Sequence, residues 1–117
     1  MLVVDDETLV RALVSEMLRE LGYAVCEANS AKSALALIKK GASIATVITD
    51  IRMPDISGIE LAGLIRRARP EVRVIYMTAY AKEAAQSGSQ LLQHDVLVKP
   101  FTFGQLESVM IERLQKH

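Results

Sequence analysis

Five side chains that could do chemistry together stand directly after short apolar segments of this sequence. Three are carboxylates, one is a hydroxyl and one is an amine: Asp5, Asp6, Asp50, Thr78 and Lys99. Three carboxylates held close together would repel one another and raise each other's pKa. A hard divalent cation removes this repulsion, and an all-oxygen ligand set suits Mg²⁺, which often completes its shell with phosphate oxygens. An amine is redundant beside the metal unless a further anion arrives, so the set favours phosphoryl chemistry with an aspartate as nucleophile.

Each of these residues also has a purely structural interpretation. Asp5, Asp6 or Asp50 could simply cap the helix that follows it. A lone threonine such as Thr78 is more often a strand or turn residue, and a lone lysine such as Lys99 is usually solvated. The joint arrangement favours chemistry, because helix caps need not supply such complementary groups.

Short apolar strands alternate with amphipathic helices along the chain. Apolar segments predict five strands, at 2–4, 24–27, 44–49, 72–77 and 96–98. Apolar residues at helical spacing predict a helix after the first strand: Val10, Leu13, Val14, Met17, Leu18 and Leu21. Further helices are predicted within 30–41, 61–68 and 103–114, whereas 81–94 predicts only a short or broken helix.

The strands are apolar throughout rather than alternating, which is typical of a parallel sheet that is covered on both faces. Right-handed crossovers then predict a doubly wound α/β fold. In such folds the ligand site lies outside the carboxyl ends of the strands, which is where the five side chains stand.

Composition excludes several other classes of protein. The 117 residues fit one domain, and 14 basic residues balance 14 acidic residues, which argues against a nucleic-acid-binding surface. No apolar run reaches the roughly 20 residues of a membrane span, so no membrane contact is expected. Cys26 is the only cysteine, which excludes an internal disulfide, and its apolar neighbours predict a buried thiol. These features fit a cytoplasmic protein.

Four motifs closely resemble the receiver domain of two-component response regulators. They are VVDDE at 3–7, TDIRMPDISGIEL at 49–61, MTAY at 77–80 and LVKPF at 97–101. They occur in order at the family's usual separations, so 1–117 is identified as one receiver domain without an effector domain. The resemblance implies a flavodoxin-like (βα)5 three-layer sandwich, with five parallel strands in the order 2-1-3-4-5.

The resemblance also implies individual roles. Asp50 would be the phosphoacceptor, and Thr78 and Lys99 would contact the phosphoryl group. The ligands of Mg²⁺ would be Asp5, Asp6, Asp50 and the backbone carbonyl of Arg52. The Lys99–Pro100 peptide bond would be cis. The donor would be a histidine on a histidine kinase or a histidine phosphotransfer domain, and the domain would be a signalling module that catalyses its own phosphorylation and slow dephosphorylation.

Two features depart from the family pattern. Receivers commonly carry an aromatic switch residue where this chain has Val96, which puts the usual switch in doubt. Tyr80 is the nearest alternative aromatic, although a partly exposed loop residue is at least as good an interpretation. The segment 81–94 lacks the usual approach to the fifth strand, so partner choice and homodimer formation cannot be transferred from the family.

Three functional hypotheses therefore follow from the sequence. The leading one is a phosphoacceptor, either a stand-alone regulator or a part of a larger regulator or hybrid sensor kinase. A pseudo-receiver that binds partners without phosphorylation is the second. A Mg²⁺-dependent phosphatase with an aspartate nucleophile is the third, and it is disfavoured because Arg52 stands where such enzymes place a second acid.

Overall fold

The computed structural model describes residues 1–41, 43–79 and 96–112. Its strands are β1 (Leu2–Val4), β2 (Cys26–Ala28), β3 (Thr46–Asp50), β4 (Arg73–Thr78) and β5 (Val96–Val98). Its helices are α1 (Thr8–Glu20), α2 (Ala31–Lys39), α3 (Gly58–Ala68) and α4 (Phe103–Met110). The short or broken helix predicted for 81–94 lies outside the described residues.

The five strands form one parallel sheet in the order β2-β1-β3-β4-β5. This order confirms the flavodoxin-like, doubly wound α/β fold predicted from the sequence. Val4 at the end of β1 lies opposite Ala28 on one side and Thr49 on the other. Because the strands are parallel and in this register, their carboxyl ends lie at one edge of the sheet.

Helices cover the sheet on both faces, which makes the fold a three-layer sandwich. On one face α2 and α3 contribute Ile38, Leu61 and Ile65 to a core that includes Val47 of β3. On the other face α1 and α4 contribute Leu18 and Leu106 to a second core. Val47 and Ile48, neighbours on β3, face the two different cores, and every position of this central strand is buried.

Local signals set the helix boundaries. Ser30 and Ser57 cap α2 and α3 by accepting hydrogen bonds from the backbone three residues later, and Thr102 forms a capping box at α4. Gly22 and Gly41 follow α1 and α2 with φ of 98° and 83°, a conformation that favours glycine. No helix in the described part of the chain combines the length and the apolarity needed to cross a bilayer.

Candidate functional site

The carboxyl edge of the sheet gathers the residues that the sequence singled out. Asp50 and Thr78 are the last residues of β3 and β4, and Lys99 follows β5 directly. Hydrogen bonds continue the sheet ladder past the strand ends: the Ile51 N–H donates to the Met77 carbonyl at 2.9 Å, and the Lys99 N–H to the Thr78 carbonyl at 2.7 Å. The site residues of β3, β4 and β5 are therefore fixed by backbone bonds as well as by packing.

Three carboxylates meet at this edge. One oxygen each from Asp5, Asp6 and Asp50 can be chosen so that all three lie within 4.8 Å of one another. Asp5 is fully buried and Asp50 is 7% exposed, whereas Asp6 is exposed. Burying like charges this close is costly without a cation, because each disfavours ionisation of the others.

Lys99 supplies a cation to two of the three acids. Its Nζ lies 3.0 Å from Asp5 Oδ2 and 3.3 Å from Asp50 Oδ1. Burial acts to lower the Lys99 pKa, but the hydrogen bond to Asp5 and the charges of Asp50 and Asp5 outweigh it, so the pKa is raised. The ammonium group therefore stays charged at neutral pH.

The carboxyl group of Asp50 is the most perturbed in the site. Burial raises its pKa to about 6, the neighbouring charge of Lys99 opposes the rise, and the charges of Asp5 and Asp6 add to it. The group is consequently mostly ionised at neutral pH but only by a small margin. A carboxylate in this setting is poised to gain from any further positive charge.

An open cleft of 180 Å³ gives access to these groups. Its lining is mostly polar and consists of Asp6, Glu7, Asp50, Arg52, Thr78, Ala79 and Lys99. Thr78 is buried at the cleft wall. The Lys99–Pro100 peptide bond is cis. The structure thus brings Asp5, Asp6, Asp50, Thr78 and Lys99 together at one edge of the sheet.

The helix-capping interpretations of Asp5 and Asp50 are not supported. The N-cap of α1 is Glu7, which makes no side-chain capping bond, and Asp5 Oδ1 accepts a hydrogen bond from the Glu7 N–H, outside the helix. The N-cap of α3 is Ser57. The acids at the strand ends therefore need an explanation other than helix capping.

Arg11 contacts the backbone of the site, which the sequence reasoning missed. Its Nη1 donates to the backbone carbonyl of Asp5 at 2.8 Å, and its Nε lies 3.1 Å from Glu27 Oε1. Arg19 also approaches Glu27, at 3.7 Å. This network ties the segment after β1 to α1 and β2. The only sequence signal that could have identified Arg11 is its position in the first half of α1, close to Asp5 and Asp6.

Gly58 lies against the backbone of the central acid. Its N–H donates to the Ile51 carbonyl at 2.7 Å, and a Cβ at this position would collide with the carbonyl of Asp50. The first turn of α3 can approach the end of β3 only because residue 58 has no side chain.

Val96 lies where receivers commonly carry an aromatic residue. It is half-buried on β5, lies opposite Tyr76 of β4 and packs against the same core. The Tyr76 side chain is fully buried, and its hydroxyl lies 3.5 Å from Nη2 of Arg66 on α3. Tyr80, proposed as an alternative aromatic, lies outside the described residues.

Comparisons with known proteins agree with this geometry. The family model of the response regulator receiver domain matches residues 1–111. The chain is 32% identical over 117 residues to the sensor kinase CckA of Brucella abortus, covering 98% of this chain and 12% of that protein. It is 39% identical over 124 residues to the chemotaxis protein CheY-3 of Vibrio cholerae, covering 98% and 88% of the two chains.

Among solved structures, the response regulator TrrA of Thermotoga maritima, in complex with Mg²⁺-BeF, superposes with a TM-score of 0.77. The two chains are 37% identical, with 92% of this chain and 91% of that chain covered. The chain spans only about an eighth of the CckA kinase, so the match does not show that this chain has the activity of the whole kinase. Fold, site and family model agree: the chain belongs to the response regulator receiver domain family.

Proposed function

We propose that the chain accepts a phosphoryl group on Asp50 from a phosphohistidine of a partner protein and so acts as a receiver in a two-component phosphorelay. One observation carries this proposal: three acids, two of them buried, cluster at the cleft edge beside Lys99, which contacts Asp5 and Asp50. Burying clustered charges in this way lowers the stability of the fold, so a structural role alone does not explain it. The arrangement is suited to binding a cation and an anion together.

The donor set fits Mg²⁺. Asp5, Asp6 and Asp50 offer hard oxygen ligands from one cluster, and Arg52 lines the same cleft, so its backbone carbonyl would be the fourth protein ligand. When bound, the ion would neutralise negative charge on the acids and on the incoming phosphoryl group. Water completes such a shell, because Mg²⁺ usually keeps several of its waters.

The side chains of the cleft divide the chemical step between them. One carboxylate oxygen of Asp50 forms a bond to phosphorus as the bond between phosphorus and the histidine nitrogen breaks, and the electron pair stays on the imidazole. Lys99 is held beside Asp50 to pair with a phosphoryl oxygen. Thr78, at the end of the neighbouring strand, would offer its hydroxyl to another phosphoryl oxygen.

An apolar groove beside the cleft supports a protein as the donor. The groove holds 310 Å³ and shares Ala79 and Lys99 with the acidic cleft. Its other walls are Val10, Leu13, Val14, Met17, Pro100 and Phe101. Leu13 is 57% exposed, and Leu9, one helical turn earlier, is 86% exposed. A protein that brings its histidine to Asp50 would bury this surface, and we propose that it is a histidine kinase or a histidine phosphotransfer domain.

We further propose that 1–117 works as one receiver domain, either alone or within a longer regulator or hybrid kinase. The match to a sensor kinase supports the second arrangement. We also propose that this exchange takes place in the cytoplasm. Phosphorylation and slow dephosphorylation would both be catalysed by the domain's own cleft, so the chain is a signalling module.

The test is intact-protein mass after incubation with acetyl phosphate, with and without Mg²⁺, for the wild type and for Asp50→Asn. A gain of one phosphoryl group that requires both Mg²⁺ and Asp50 is expected. No gain in a protein that circular dichroism shows to be folded would contradict the proposal and would favour a pseudo-receiver. A gain that persists in Asp50→Asn would place the acceptor elsewhere.

A further inference from the structure

The loop between β3 and α3 is tied to a helix on another part of the chain by one carboxylate. Asp55 lies in this loop, three residues after Arg52. Its Oδ2 accepts a hydrogen bond from the Lys32 N–H at 2.9 Å, and its Oδ1 one from the Ala31 N–H at 3.4 Å. These are the first two backbone donors of α2, which no bond within the helix can satisfy.

The N-terminus of α2 is thus capped by two residues, one adjacent to the helix in sequence and one distant from it. Ser30, the N-cap, accepts from the Ser33 N–H at 3.1 Å and is contiguous with the helix. Asp55 comes from a segment 23 residues beyond Lys32. The hydrogen bond from Lys32 lowers the Asp55 pKa, so the carboxylate is ionised at neutral pH. Of these two caps, only Asp55 joins α2 to the loop that carries Arg52.

A hydrogen bond at the base of the loop and two partly buried side chains within it also help to hold the loop. The Gly58 N–H bonds to the Ile51 carbonyl and closes the two ends of the loop, and Met53 and Ile56 pack partly against the core. Arg52 itself is exposed. A carbonyl in an exposed segment keeps a fixed position only if neighbouring contacts hold that segment, and Asp55 supplies a contact on the side away from the base.

We propose that Asp55 is a positioning residue for the cation site: by capping α2 it fixes the loop that presents the Arg52 carbonyl to the metal. This inference rests on the proposed function, since it assumes that the Arg52 carbonyl is a ligand. Residues that orient metal ligands without touching the metal typically contribute 10- to 100-fold in affinity. Because Asp55 shares its task with the base contacts, we expect a loss of about tenfold or somewhat less in Mg²⁺ affinity on its removal.

Three variants separate positioning from other effects. Asp55→Ala removes the cap and the charge, whereas Asp55→Asn removes the same charge but keeps an oxygen that can accept from Lys32. Ser30→Ala weakens the same helix terminus without touching the loop. Mg²⁺ dissociation constants are measured by calorimetry on the whole chain, at a temperature where circular dichroism shows each variant to be folded.

The inference predicts Mg²⁺ binding weakened about tenfold in Asp55→Ala and by less than threefold in Asp55→Asn and Ser30→Ala. Both alanine variants should lose a few degrees of melting temperature, roughly 4–8 °C. Equal weakening in the two Asp55 variants would show a through-space charge effect and overturn the inference. If Ser30→Ala weakens Mg²⁺ binding as much as Asp55→Ala does, the effect is due to fraying of α2 and the inference is overturned. If all three variants bind Mg²⁺ as tightly as the wild type, the loop does not depend on the Asp55 cap, and the inference is overturned as well.

Measurements on the wild type separate failure of the positioning role of Asp55 from failure of the proposed phosphoacceptor function. If it binds Mg²⁺ and takes up phosphoryl groups while Asp55→Ala does so with unchanged affinity, the positioning role fails and the proposed function stands. If the wild type does not bind Mg²⁺ at all, the proposed function fails and the inference fails with it.

Discussion

Replacing Asp50 with asparagine is expected to stabilise the metal-free protein at neutral pH. Asp50 is 7% exposed and lies within a cluster with two other acids, Asp5 and Asp6. Asparagine has nearly the same shape but carries no charge, so it relieves both the burial of a charge and the repulsion. Lys99 keeps its contact with Asp5 at 3.0 Å and is not left without a counter-charge.

The magnitude follows from the pKa of Asp50, which is raised from 3.8 to about 6. Each pKa unit corresponds to about 1.4 kcal/mol, so ionised Asp50 costs the native state at most about 3 kcal/mol. Below about pH 4 the group is protonated in both states and this cost is absent. Between about pH 4 and 6 the unfolded chain releases the proton while the native state retains it, so wild-type stability falls as the pH rises.

Urea unfolding followed by circular dichroism gives the comparison, since the chain has no tryptophan. The wild type and Asp50→Asn are unfolded between pH 4 and 7.5 with EDTA present. The difference between them isolates Asp50, because the other titrating groups are common to both proteins. We expect the variant's advantage to grow from near zero at pH 4 to about 1–3 kcal/mol at pH 7.

Adding Mg²⁺ should reverse the order of stability. A ligand that binds only the native state stabilises it by about 2.7 kcal/mol at 100 times its Kd. The wild type offers three carboxylates to the ion and the variant two, so the wild type should gain more. The reasoning would be refuted by a variant that is less stable than the wild type at pH 7 without metal, or by a difference that does not change with pH.

Three further predictions concern the surroundings of the site. Gly58→Ala should destabilise the protein by roughly 2 kcal/mol or more in urea unfolding, because its Cβ would meet the Asp50 carbonyl. Gly63→Ala on the same helix has open space and should stabilise by roughly 0.5–1 kcal/mol, so equal effects would contradict the steric argument. The buried Ser15 hydroxyl finds no hydrogen-bond partner in the described residues, so Ser15→Ala should raise stability by about 1 kcal/mol in thermal melts, and a loss would reveal a missed partner. Leu13→Glu should slow phosphoryl uptake from a phosphohistidine protein about tenfold or more and leave uptake from acetyl phosphate unchanged; parallel slowing would remove Leu13 from the partner surface.

The site was predictable from the sequence because parallel strands converge at one edge. Apolar segments ending on Asp50, Thr78 and Lys99 were enough to place these groups together once the sheet was inferred. The predicted strands at 44–49 and 72–77 each stopped one residue early. Asp50 and Thr78 are themselves part of the ladder, paired with Met77 and Val98, and a polar residue at a strand end gives no apolar signal.

Two residues that belong to apolar segments of the sequence are at the surface. Leu13 fits the helical stripe of α1 but is 57% exposed, since it lines the groove beside the site rather than the core. The prediction of a buried Cys26 was wrong, because β2 is an edge strand and exposes it. Periodicity identifies apolar residues but does not distinguish a core from a surface that awaits a partner.

The contacts that orient the site were beyond sequence reasoning for a different reason. Arg11 reaches a backbone carbonyl, and Asp55 reaches two backbone N–H groups of a helix 23 or 24 residues away. Nearly every residue has the same backbone N–H and carbonyl groups, so the sequence does not indicate which of them a side chain will contact. Only the packing of the loop after β3 against α2 brings the groups together.

The charge balance of the site explains why a cation and Lys99 would both be needed. Three carboxylates and one ammonium leave two negative charges in the cleft, and an incoming phosphoryl group carries further negative charge. A divalent ion cancels that excess, so that the phosphoryl group meets a neutral cleft instead of a repulsive one. Lys99 contacts only two of the acids, and with the ion neutralising them its ammonium could turn to the phosphoryl oxygens. In the metal-free protein Lys99 therefore offsets the repulsion between Asp5 and Asp50, and the same geometry leaves it within reach of a phosphoryl group that Asp50 would accept.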